Sequence, residues 1–150
     1  MSSRRGNIVD FLVTSLKNIN GSTSTYNNAY TYNNNLFDNV YRKLKFLDEV
    51  NDFPALYLSA GTENRNFNSL SLTVATLDVT IRAYVYGEDN SQSLADDLLE
   101  DIEHVIYSLE DSPDKGIQDI IIENVTVDEG LVEPYGLAEV NIQVTYRLEN

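Results

Sequence analysis

The chain has 150 residues, 42% hydrophobic and 23% charged, with no cysteine and no tryptophan. That length fits one domain with one substantial core, and the apolar content is too high for a disordered chain. Disulfides and thiolate metal sites are excluded, no apolar run approaches the roughly 20 residues that span a bilayer, and "MSSRRGNIVDFL" lacks the apolar core of a secretory signal.

A first amphipathic helix is predicted over residues 4–19, with Ile8, Leu12, Leu16 and Ile19 on one face and Asn20-Gly21 ending it. Residues 22–35, "STSTYNNAYTYNNN", hold almost no aliphatic side chain and read as a segment that cannot form core. They are either a mobile loop or an arm that orders on a neighbouring subunit, with Tyr26, Tyr30 and Tyr32 as anchors. Alternation over 36–45 predicts a strand that carries a basic cluster of Arg42, Lys43 and Lys45. Residues 46–52 read as one helical turn or an acidic corner. A strand follows over 55–60, its start gated by Pro54 and its end set by Gly61.

Residues 62–71 are polar throughout except for Phe67 and Leu70 and predict a hairpin tip that displays Arg65 and Phe67. The clearest strand runs over 77–86, where Leu77, Val79, Ile81, Ala83 and Val85 share one parity. Leu72 and Val74 have the other parity, which predicts a bulge near Ala75-Thr76. A second helix over 91–109 sets a wide apolar stripe (Leu98, Leu99, Ile102, Val105, Ile106) against a polar face that includes Asp97, Asp101 and His104. "DSPDKG" breaks it. Strands over 117–128 and 138–148 finish the chain, the last burying Ala138, Val140, Ile142, Val144 and Tyr146. The order α, β, β, β, α, β, β predicts a single α+β domain over residues 1–150, with a mainly antiparallel sheet and two amphipathic helices on one face.

The net charge of −14 is unevenly spread: residues 1–82 carry +1 and residues 83–150 carry −15. Such acidity disfavours phosphate binding in a nucleic-acid groove. It suits a basic protein partner, or a channel wall along which DNA slides without sticking.

No catalytic constellation, cofactor motif or metal site is predicted. His104 is the only histidine and lies mid-helix, so no nucleophile–base pair can be built. Asp97, Asp101 and His104 share a helix face, yet no second element adds ligands, and the set reads as a solvated acidic face. Carboxylate pairs are abundant by composition alone, and a sugar-stacking tryptophan is lacking.

Several stretches together resemble one family. They are the first helix, "VYRKLKFLDEVNDFPALYLSAGTE" (40–63), "VTIRAYVYGED" (79–89) with the helix after it, and "IENVTVDEG" and "GLAEVNIQVTYR" at the end. A basic-aromatic strand, an acidic turn, a D-F-P-A start, a strand closing on Gly61-Thr62-Glu63 and a last strand ending in Tyr146-Arg147 resemble the tail terminator, or tail completion, proteins of long-tailed bacteriophages, the lambda-like minor tail family. Residues 22–35 depart from that pattern. The resemblance implies a non-enzymatic virion protein, assembled in the host cytoplasm. It implies a homohexameric ring that caps the tail tube, ends its polymerisation and joins the tail to the neck, while DNA passes through without specific binding. It implies partners in the tube protein and a neck or head completion protein, and no membrane or cofactor. Candidate contact residues are Tyr26, Tyr30, Tyr32, Arg42, Lys43, Lys45, Arg65 and Phe67. The alternatives are a tube subunit, another neck protein, or an acidic DNA-mimic inhibitor.

Overall fold

In a computed structural model, residues 4–23, 30–69, 72–109 and 116–149 are described, excepting the side chains of 67–69, 72 and 149. In chain order the elements are α1 (Arg4–Leu16), β1 (Val40–Tyr41), a 3-10 turn (Leu47–Glu49), β2 (Ala55–Ser69), β3 (Leu72–Tyr86), α2 (Ser91–Ser108), β4 (Ile117–Val127) and β5 (Tyr135–Glu149). The strands form one sheet in the order β1-β2-β3-β5-β4, antiparallel except for the short β1–β2 pair.

Strand parity builds the frame. β3 and β5 pair without interruption from Leu72↔Glu149 to Tyr86↔Tyr135. Side chains two apart point the same way, so Ala75 to Val85 on odd numbers and Ala138 to Tyr146 on even numbers bury a common face. Both helices cover that face, and Ile8, Leu12 and Leu16 of α1 join Leu98, Ile102 and Ile106 of α2 in the same core. This is the α+β arrangement expected from the sequence. The other face holds only a small cluster, Val50, Ala55, Tyr57 and Tyr84. Beside it Thr80 donates to Asn141 at 3.0 Å and Asn141 to Asn124 at 2.8 Å. Gly136 is required where α2 meets β5: a Cβ there would stand 2.6 Å from Val85 and 2.8 Å from the Ser91 carbonyl.

Several expectations are corrected. The strand predicted over 36–45 shrinks to β1, because Phe37 (φ 49°) and Asp38 (φ 62°) turn the chain through left-handed backbone that no strand contains. The predicted hairpin tip at 62–71 is instead strand through Ser69 and again from Leu72, so Gly61 does not stop β2. The phase is adjusted within β2, between Ala60 and Glu63, where Arg5 donates to the Ala60 and Gly61 carbonyls at 3.2 and 2.6 Å. The bulge expected near Ala75-Thr76 is therefore absent from β3. α1 ends at Leu16, three residues early; Ile19 stays buried, and Gly21, though left-handed (φ 81°), lies five residues beyond the helix and does not end it.

The remaining corrections concern residues 22–35 and Asp101. Bridges Asn20↔Asn35 and Thr23↔Thr31 fold the described parts of that segment on themselves, and Tyr32 enters the core. Asp101, expected on the solvated face of α2, is 0% exposed. One carboxylate oxygen accepts from the Tyr30 hydroxyl (2.7 Å) and the Asn33 N–H (2.9 Å), and the other from the Asn34 N–H (2.9 Å) and side-chain amide (3.2 Å). The Tyr30 ring stacks on His104 at 4.1 Å. A buried carboxylate is tolerable only when so satisfied. Truncation would strand two backbone donors, at about 1–3 kcal/mol each. Asp101→Ala is therefore expected to lower unfolding free energy by about 2–4 kcal/mol in urea titration, whereas Asp97→Ala on the exposed face should stay within about 0.5 kcal/mol.

Candidate assembly interface

The basic cluster leaves β1 and crosses the less covered sheet face. Its backbone is tacked down by the Tyr84 hydroxyl, which donates to the Lys45 carbonyl. Burial pushes the Tyr84 and Tyr57 hydroxyls above the ordinary tyrosine range. Lys43 Nζ lies 5.7 Å from the Tyr41 ring centroid and Lys45 Nζ 5.8 Å from that of Tyr57, within cation–π reach. Arg42 pairs with Asp10 of α1 at 3.2 Å; both are half exposed, so the pair contributes little, under about 1 kcal/mol. Around these cations stand Phe37 (72% exposed), Phe46 (69%) and Leu44 (41%). The backbone is thus held while cations and apolar side chains face outward.

Tyr30 and Tyr32 sit elsewhere, on α2 of their own subunit, with ring centroids 5.5 Å apart and both against His104. Burial first, and then the bond to Asp101, push the Tyr30 hydroxyl strongly upward. Tyr26 lies outside the described residues. Phe67 is placed opposite Thr73 by register, and its side chain lies outside those described. The structure therefore groups Arg42, Lys43 and Lys45, but separates them from Arg65, Tyr30 and Tyr32. His104 Nε2 is buried without a hydrogen-bond partner, and among the described residues no three histidine, aspartate or glutamate side chains converge as metal ligands.

Arg65, on the distal part of β2, bonds Glu63 at 2.8 Å; the Glu63 side chain is 6% exposed and also accepts from the Tyr146 hydroxyl. Burial alone would raise the Glu63 carboxyl, but the bonds from Tyr146 and Arg65 outweigh it and hold it below the ordinary range. Burial, then the bond to Glu63, pushes Tyr146 up to about 12.

The sequence reading missed the opposite edge of the sheet. Among the described residues β4 has no outer neighbour. Ile121 (46% exposed) and Leu131 (85%) stand out near it, among Asp119, Glu123 and Glu129. Three consecutive isoleucines, Ile120 to Ile122, put apolar side chains on both faces of this edge strand, a signal readable in the sequence. A further exposed group joins Phe53, Tyr86 and Tyr135, with centroids 5.3–6.2 Å apart.

The Glu63–Tyr146 pair sets a pH dependence at both ends. A lowered carboxyl adds stability above its ordinary value of 4.5, lost as the pH falls through its folded value. A raised tyrosine adds stability below its ordinary value of 10.0, lost as the pH rises towards about 12. Urea midpoints measured against pH should fall at both ends, and Tyr146→Phe should blunt both losses.

Residues 2–150 match the model of a family described as bacteriophage tail tube terminator protein. The tail tube terminator protein p142 of Escherichia phage T5 is 33% identical over 127 residues, covering 77% of this chain and 79% of p142. The resemblance carried by the acidic corner and the Tyr146-Arg147 strand agrees with both findings: the chain belongs to the bacteriophage tail tube terminator family.

Proposed function

We propose that this chain assembles as a homohexameric ring on the last ring of a phage tail tube, halts tube growth there and presents its other side to the neck. The observation that carries the reading is the family match across residues 2–150. The physical chemistry supports it. A ring built from head-to-tail contacts closes by rotation and needs two different, complementary patches on each subunit. A near-neutral part of +1 followed by a part of −15 gives each subunit two unlike surfaces. Acidic residues facing the lumen repel phosphate, so DNA passes without specific binding. The protein acts in the virion tail after assembly in the host cytoplasm. Its partners are the tube protein and a neck or head completion protein, and its role is structural.

The test is growth of the cognate tube protein with and without this chain, with lengths read by electron microscopy. The account predicts short tubes that carry a ring at one end. Unchanged lengths would overturn it, and long filaments of this chain alone would favour a tube subunit.

A further inference from the structure

The fold leaves two outward patches at opposite edges of one sheet, since β1 and β4 are the end strands. On the β1 flank, Lys43 and Lys45 stand among Phe37, Leu44 and Phe46, and among the described residues neither is in a salt bridge, whereas Arg42 is paired with Asp10 and the acids Asp38, Asp48 and Glu49 bound the segment. On the β4 flank, Asp119, Glu123 and Glu129 stand among Ile121, Val125 and Leu131, and residues 117–133 contain no lysine or arginine. Each flank thus combines exposed apolar side chains with charged groups that could pair across a contact: Lys43 and Lys45 on one, Asp119, Glu123 and Glu129 on the other. Exposed phenylalanines and leucines grouped in this way mark contact surfaces, and an unpaired edge strand is one that proteins cover or guard with charge.

We infer that the β1 flank of one copy of this chain docks on the β4 flank of the next, with Lys43 and Lys45 facing Asp119 and Glu123 and the apolar side chains closed between them. The occupant is a second copy because the chain itself carries both complementary surfaces. The two patches differ, so the contact is heterologous and leaves neither patch free once a ring closes. The inference rests on the ring reading above and specifies which surfaces build it.

Two variants test it: Lys43→Glu with Lys45→Glu, and Asp119→Lys with Glu123→Lys. Each places like charges across the contact, and each alone should self-associate at least ~10-fold more weakly than the unaltered chain in mass photometry. Mixed in equal amounts, the two should again form rings, because each now complements the other. Phe46→Ala should weaken assembly without changing the urea midpoint of the monomer. Rings unaffected by either charge reversal, or a mixture that fails to recover while both variants remain folded by circular dichroism, would overturn the docking and leave the ring reading standing. An unaltered chain that stays monomeric even with tube protein would overturn both.

Discussion

The unbroken pairing of β3 with β5 is the constraint on which the rest of the structure depends. A slip of one residue would turn every apolar side chain of either strand away from the helices. With the register fixed, Leu77 to Val85 and Val140 to Tyr146 present one apolar surface, and α1 and α2 both lie on it. The opposite face carries hydroxyls and amides together with charged side chains of the central strands, Asp78 and Arg82 of β3 and Glu139 and Arg147 of β5. Phase errors are absorbed away from this central pair, in β2 between Ala60 and Glu63 and in β4 between Ile122 and Asn124.

Those strands and α2 were legible because burial on one face leaves a period in the sequence, two for strand and 3.6 for helix. The distal part of β2 was not. It hangs beyond α1 as an exposed ribbon, so Asn64, Arg65 and Asn66 record solvent contact rather than backbone conformation. The alternation over 36–45 was accidental, and two left-handed residues cut it. Asp101 was misplaced for a different reason. Its environment is set by backbone donors at Asn33 and Asn34, more than sixty positions away in sequence, and no local pattern on α2 announces them. The same contact explains why a Tyr/Asn-rich segment without aliphatic residues reaches the core: its polar backbone is satisfied by a carboxylate supplied from the helix.

The candidate interface was half visible. The cations of "YRKLK" could be read directly, but their exposure among Phe37, Leu44 and Phe46 depends on how little of the chain before β2 is strand. The acidic and apolar surface on β4 was hidden within a β-branched run whose edge position only the strand order reveals. Arg65 was singled out for display, yet its principal contact is with Glu63, part of a pair with Tyr146 that ties the distal sheet to the core. The family signal came from the corner between β1 and β2, a structural joint with its acidic side chains in solvent.

The proposed ring requires the chain to assemble with itself and then stop, and two different flanks of one sheet, one with Lys43 and Lys45 and the other with Asp119 and Glu123, offer a physical basis for closure by rotation. The most direct test of this account is the mass distribution of the purified 16.9 kDa chain, alone and with its cognate tube protein. The account predicts one discrete hexameric species, favoured by tube ends and weakened by salt; a stable monomer under both conditions would contradict it.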